Sequence, residues 1–113
     1  MQPAPDAAPL TSRRDGASIE VQPAGELGMD ATFMLEPEVE RLLAEDGVRR
    51  LVLNLAEIRF IDSAGIGALL SIRERTERVS VEMALMNVPA PVQRVLGLTG
   101  TGALVAPQPT AEP

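Results

Sequence analysis

Apolar residues recur along this chain with two different periods. Ile19 and Val21 alternate with Glu20 and Gln22, the period-two pattern of a strand with one buried face. Asp15-Gly16 just before them is a hairpin-turn dipeptide. Its other arm, around Leu10 to Arg14, reads as a weak edge strand blunted by Arg13 and Arg14. Leu51-Val52-Leu53-Asn54-Leu55 is almost continuously apolar, as a strand covered on both faces must be. Val79, Val81, Met83 and Leu85 alternate with Ser80, Glu82 and Ala84 and predict another strand. Between these two the period becomes helical. Ile66, Leu69, Leu70 and Ile72 give the inner side of a helix over 63–78, and Arg73, Glu74, Arg75, Glu77 and Arg78 its solvated end. Strand, crossover helix and strand predict a βαβ unit, with 51–55 central and parallel to 79–86.

Two further helices are weaker. Asp30 can cap a helix running towards Glu45, with Val39, Leu42 and Leu43 as its apolar stripe and Asp46-Gly47 as its end. Pro37 interrupts it. An interior proline removes a hydrogen bond and clashes one turn back, at a cost of roughly 3 kcal/mol. Either the helix is kinked there, or Glu36 is the cap and Pro37 the first helical residue. Phe33 and Met34, just before, are read as core residues in preference to partner anchors. A short helix starts at Pro89 or Pro91, runs through Val92, Val95 and Leu96, and is broken by Gly97 and Gly100. Ala103-Leu104-Val105 either adds a last short strand or packs down. The expected fold is α/β: a single domain with a mixed four- to five-stranded sheet and helices packed on it. The Ala/Pro-rich ends, 1–9 and 107–113, are expected to be disordered tails around a domain of about residues 10–106.

Composition narrows the chemistry. The chain has 113 residues, 45% of them apolar, which suits one domain with a real core. It has no cysteine, no histidine and no lysine; all ten basic residues are arginine. Disulfides, thiol nucleophiles, Ser-His-Asp triads, the usual zinc sites, lysine Schiff bases and the lysine of a phosphate-binding P-loop are therefore excluded. No metal or cofactor is expected. Tyr and Trp are absent and Phe occurs twice, leaving little for base stacking. The net charge of −6 argues against nucleic acid or an anionic membrane as partner. That charge is concentrated between Glu26 and Asp46, where seven acids (Glu26, Asp30, Glu36, Glu38, Glu40, Glu45 and Asp46) face one base, Arg41. This stretch is either a solvated helix face or a docking face for a basic partner. The first residues lack a basic and apolar leader, and no apolar run approaches the roughly 20 residues that span a bilayer, so a cytoplasmic protein without direct membrane binding is expected.

The most informative stretch is Phe60-Ile61-Asp62-Ser63-Ala64-Gly65-Ile66-Gly67, between the buried strand and the second helix. Ligand and partner sites in open α/β sheets lie outside the carboxyl ends of strands, at such a turn. Ser63 is placed to be the helix N-cap, with its hydroxyl exposed beside the positive end of the helix dipole. A phosphate attached there is electrostatically tolerated and adds about −1.5 to −2 charges. Gly65 and Gly67 let another backbone or a phosphate come close. The structural alternative is an ordinary capping sequence with two glycines serving close packing. The turn is not a nucleotide loop of known type, since the third glycine of a dinucleotide fingerprint is missing and no lysine follows. No base stands near Ser63 in sequence, so it is not a catalytic nucleophile, and an enzyme built on Asp62 and the acidic helix lacks convergent pocket residues.

Gly25-Glu26-Leu27, Leu53-Asn54-Leu55, Phe60-Ile61-Asp62-Ser63-Ala64-Gly65-Ile66-Gly67-Ala68-Leu69 and Val88-Pro89-Ala90-Pro91-Val92-Gln93-Arg94-Val95-Leu96 occur in an order and spacing that resembles the bacterial STAS-domain anti-sigma-factor antagonists, or anti-anti-sigma factors. The resemblance covers about residues 10–105, and its most specific part is the Asp-Ser-x-Gly-hydrophobic-Gly turn. It implies a regulatory binding protein, not an enzyme, whose partner is an anti-sigma factor that is also a serine kinase. It implies phosphorylation at Ser63, release of the kinase, and a phosphatase that restores the unmodified form. It implies a partner surface made by Asp62, Ser63, Ala64, Gly65, Ile66 and Gly67 together with Asp30. Gly28 stands where the family usually has an aspartate, with Asp30 two residues on. STAS domains also serve as subunits or regulators of membrane transport systems and as pieces of stress-signalling scaffolds, and this is the alternative implied function.

Overall fold

A computed structural model describes residues 10–98, without the side chains of Asp30, Ala31, Thr32 and Leu98. The expected tails, Gly100 and Ala103-Leu104-Val105 lie outside the described residues. Eight elements follow one another: β1 (Leu10–Asp15), β2 (Ser18–Leu27), α1 (Met29–Leu43), β3 (Arg50–Asn54), β4 (Glu57–Ile61), α2 (Ser63–Arg78), β5 (Glu82–Met86) and α3 (Ala90–Leu98). The five strands form a mixed sheet in the order β1-β2-β3-β5, with β4 also on β2. β1 and β2 form the expected antiparallel hairpin, and Gly16 takes the positive φ (63°) that its turn requires. β3 lies between β2 and β5 and is parallel to both, as its apolar run predicts.

β4 is not anticipated by the period of the chain. Ile58 and Ile61 are buried while Glu57, Arg59 and Phe60 are exposed, so neither period two nor a continuous apolar run marks it. It exists because β2 is longer than its alternating segment. β2 pairs Ser18–Val21 with β3 and then Ala24–Leu27 with β4. Pro23 falls between these two ladders and lies opposite Leu10, the first residue of the edge strand β1.

The helices also depart from expectation in places. α1 starts at Met29, with Gly28 as its N-cap and no side-chain cap; neither Asp30 nor Glu36 takes that place. Pro37 lies inside the helix, on its exposed side. The helix tolerates it because Leu35, Val39 and Leu42 bury a full apolar stripe, each such side chain contributing roughly 1.5–3 kcal/mol. Phe33 and Met34 are exposed and not in the core. On α2, Ile66, Leu69 and Ile72 are buried as expected, but Leu70 faces outward. β5 begins at Glu82, not Val79: Val79 caps α2 and is exposed, and Ser80 turns the chain with a φ of 60°. Gly97 lies within α3 and does not break it. The core gathers Ile19, Val21 and Leu27 of β2, Leu51 and Leu53 of β3, Ile58 and Ile61 of β4, Leu85 of β5, and the inner faces of all three helices.

Candidate functional site

β2 and β4 run parallel and end side by side, at Leu27 and Ile61. Each is followed within two residues by a helix, so the N-termini of α1 and α2 meet at one end of the sheet. This is where the turn from Asp62 to Gly67 lies. Asp62, not Ser63, is the N-cap of α2: its backbone is extended and its Oδ1 accepts the Gly65 N–H at 3.1 Å. The Asp62 carbonyl accepts the Ile66 N–H at 2.9 Å. A carboxylate is the better cap here, because it also meets the positive end of the helix dipole. Ser63 thereby becomes the first residue of the helix, exposed and relieved of a capping role.

Two residues outside the motif complete the geometry, Leu27 and Gly28, both in the segment that also carries part of the resemblance. The Leu27 carbonyl receives the Asp62 N–H at 3.4 Å, tying the end of β2 to the turn. Gly28 lies against the Asp62 carboxylate, where a Cβ would come within 2.9 Å of Oδ2. The carboxylate of Asp62 thus sits by the start of both helices. The signal for Gly28 was its place in Gly-Glu-Leu-Gly, where the related pattern carries an aspartate; a second carboxylate there would crowd Asp62.

The two glycines of the motif have separate roles. Gly65 is buried, and a Cβ on it would stand 2.0 Å from the Leu27 carbonyl oxygen and 2.8 Å from Ile61. It is glycine so that α2 can lie on the end of the sheet. Gly67 is exposed and a Cβ on it would meet nothing within 4 Å. It opens a shallow hollow on the outer side of α2, lined by Gly67, Leu70, Ser71, Arg73, Glu74 and Glu77. Ser63 and Gly67 therefore present a bare surface, Ala64 is half-buried between them, and Ile66 is buried. Asp30 is in the first turn of α1, its side chain outside the described residues.

Three of the seven acids in the acidic stretch form ion pairs within the fold. Glu38 binds Arg41 at 2.6 Å, Glu40 binds Arg75 at 2.9 Å, and Glu45 binds Arg14 at 3.0 Å and Arg41 at 3.8 Å. Glu36 accepts from the Ser71 hydroxyl at 3.4 Å. The Arg41 hydrogen bond holds the Glu38 carboxyl below its ordinary range, and Glu38 in turn raises Arg41. Among the described residues no cluster of acids with metal-ligand geometry forms, and no helix is long and apolar enough to cross a membrane.

Comparison with known proteins agrees with this arrangement. The chain is 29% identical over 80 residues to an anti-sigma F factor antagonist of Paenibacillus polymyxa, covering 71% of this chain and 68% of that one. Its fold superposes on the crystal structure of an anti-sigma factor antagonist from Mycobacterium paratuberculosis with a TM-score of 0.78, at 23% identity over 97% of this chain and 92% of that one. It also superposes on the antagonist SpoIIAA in its unphosphorylated form, with a TM-score of 0.74 at 21% identity, covering 85% and 84%. The phosphorylated form of the Bacillus protein gives 0.68 at 20% identity, covering 85% and 87%. The family model for the STAS domain matches residues 9–112, nearly the whole chain, and with a five-stranded mixed sheet and helices converging on the Asp62–Gly67 turn, the protein belongs to the STAS-domain family.

Proposed function

We propose that the protein is an anti-sigma factor antagonist that captures an anti-sigma serine kinase and is switched off by phosphorylation of Ser63. The observation that carries this reading is the separation of tasks at the turn: Asp62 caps the helix, Gly65 packs it, and Ser63 is left exposed with neither duty. Because Asp62 is the residue that caps the helix, phosphorylating Ser63 does not remove the cap. Unmodified, the neutral surface around Ser63 and Gly67 docks on the kinase, which frees a sigma factor for transcription. Phosphorylation adds about −1.5 to −2 charges at the centre of that surface. The Gly65 and Ile66 N–H groups are already taken by Asp62, so the phosphate meets the remaining N–H groups of the first turn and the helix dipole. The modified fold is stable while the modified surface no longer fits. A phosphatase then restores capture. Ser63 is a substrate residue in this scheme and the protein itself catalyses nothing; its place is the cytoplasm, with no nucleic-acid or membrane contact of its own.

The test is incubation with a purified anti-sigma serine kinase from the source genome and ATP. One phosphate is expected, located at Ser63 by mass spectrometry. Ser63→Ala should bind the kinase as wild type does and accept no phosphate. Ser63→Asp should bind more weakly, partially mimicking the phosphate with one charge. Wild-type affinity in Ser63→Asp together with no phosphate on Ser63 would sink the switch, and a role as a transport-system subunit would become the better reading.

A further inference from the structure

The C-terminal ends of α1 and α2 flank a second hollow, at the far end of the helix pair from Ser63. It measures about 210 Å³ and is lined by Glu40, Leu43 and Ala44 of α1 and by Arg75, Arg78 and Val79 at the end of α2. One part of its wall is aliphatic. Leu43 is half-buried, Ala44 is exposed, and Val79 is 53% exposed. Val79 stays outside the core because α2 ends on it: its N–H bonds back to the carbonyls of Arg75 and Thr76, both at 3.3 Å, and Ser80 then turns the chain. The other part is charged. Glu40 takes Nη1 of Arg75 at 2.9 Å, while Nε of Arg75 is buried and finds no acceptor within the chain. Arg78 is exposed, and no carboxylate among the described residues pairs with it. Arg49 accepts the Glu82 N–H on its carbonyl at 2.9 Å, which puts it beside the turn after Val79, and its side chain is equally exposed and unpaired. With one acid against two arginines, the lining of the hollow is positive in a chain whose net charge is −6.

We infer that this hollow is a docking site for an acidic segment of a second protein, which enters it with one aliphatic side chain beside a carboxylate. Leu43, Ala44 and Val79 receive the aliphatic side chain. Arg78 receives the carboxylate, since a guanidinium without a partner matches two carboxylate oxygens in a forked pair. The partial negative charge of the two helix ends does not oppose this, because Arg41, Arg75 and Arg78 already meet it in the last turns. The size of the hollow points to a protein side chain and not to a free ligand. Small-molecule sites commonly enclose about 300–1,000 Å³ and bury most of what they hold, whereas this one is smaller. Its position makes it independent of the Ser63 surface. The 16 residues of α2 separate Val79 from Ser63, and they span about 24 Å of helix. A stable interface buries about 800 Å² on each side, a disc about 16 Å in radius. A partner centred on Ser63 therefore leaves the hollow open, and the two surfaces can be occupied together.

The experiment titrates the peptide acetyl-Gly-Ser-Glu-Leu-Glu-Ser-Gly-amide into the full, isotopically labelled chain and follows the backbone amides by NMR. Saturable shifts are expected at Leu43, Ala44 and from Arg75 to Ser80, and none at Ser63. Arg78→Gln and Val79→Ser should each weaken binding by about threefold or more. Alanine in place of the peptide's leucine should weaken it by a similar factor. Arg78→Glu should lose this peptide and gain the one with lysines in place of its glutamates. Ser63→Asp should bind the peptide as wild type does. Arg78 and Val79 are both exposed, so their replacement should leave the rest of the spectrum unchanged. No saturable shift at these amides up to about 10 mM peptide would overturn the inference. So would equal binding of the alanine peptide, or an effect of Arg78→Glu no larger than that of Arg94→Glu on α3. If octanoate shifts these amides and the peptide does not, the hollow takes a small amphipathic acid; if they shift when the chain alone is concentrated, a second copy covers it. Either result overturns the inference.

Discussion

The two ends of the α1–α2 pair are built on opposite principles. At their C-terminal ends the helices are laced together by charge: Glu40 reaches Arg75, and Glu45 reaches back to Arg14 on the hairpin. At their N-terminal ends the helices meet with hardly any side-chain bulk, through Gly28, Asp62 and Gly65, and leave apolar side chains in water. One end is arranged for stability in solvent. The other leaves Ser63, Met29 and Phe33 exposed. Part of the acidic run, Glu40 and Glu45, pairs with arginines at the C-terminal end, while the turn that carries the motif is marked by small residues.

The sharpest way to break this contrast is to fill the two glycines of the turn. Gly65→Ala should destabilise by about 3 kcal/mol or more, since its Cβ collides with backbone at Leu27 that cannot swing aside. Gly67→Ala should stabilise by about 0.4–1 kcal/mol, because the space is open and alanine is the better helix former. Denaturant unfolding of both variants checks the pair; equal effects would mean that the two glycines share one role. Next in size is the cap. Asp62→Ala should cost about 1 kcal/mol, and Ser63→Ala within about 0.5 kcal/mol of nothing, again by denaturant unfolding. The reverse order would return the cap to Ser63 and remove the argument that it is free to react.

The smallest effect concerns the charged end. Arg41 lowers the folded-state pKa of Glu38 from an ordinary value of 4.5, so the pair contributes stability above that value and loses it as pH falls through the lowered one. Glu38→Gln should therefore be slightly less stable than wild type at about pH 7, and the difference should shrink as pH falls below 4.5. The pair is well exposed, so solvent screens most of its contribution. A difference that persists or grows in acid would show Glu38 acting through packing, not charge.

Much of the fold could be read along the chain because its burial is one-sided and regular. The hairpin, the central strand at 51–55 and the long helix from Ser63 each carry a clear period. β4 could not be, because its existence depends on the far half of β2 and not on its own residues. Pro37 misled for the opposite reason: a local penalty of a few kcal/mol is outweighed by three buried side chains on the same helix. At the site, the motif located the turn and the serine, but not the division of labour within it. Asp and Ser are both good caps, and only the backbone shows which one is used. Exposure of Phe33 and Leu70 was equally hidden, since an apolar residue at a helical position reads as core until its neighbours are placed.

The contact between Leu27 and the Asp62 turn has a consequence for how this protein can be read by another. Every device that shapes the turn from outside it, namely the Leu27 carbonyl, the space beside Gly28 and the end of β2, comes from a distant part of the chain. A short peptide copied from Glu57 to Arg78 would carry the whole motif and none of that support, and as an isolated segment would hold only marginal helix. Whatever recognises Ser63 in its native surroundings thus reads a conformational epitope. On the proposed function, a kinase acting on Ser63 would inspect the integrity of the domain in the same act, and an unfolded copy of the chain would pass unnoticed.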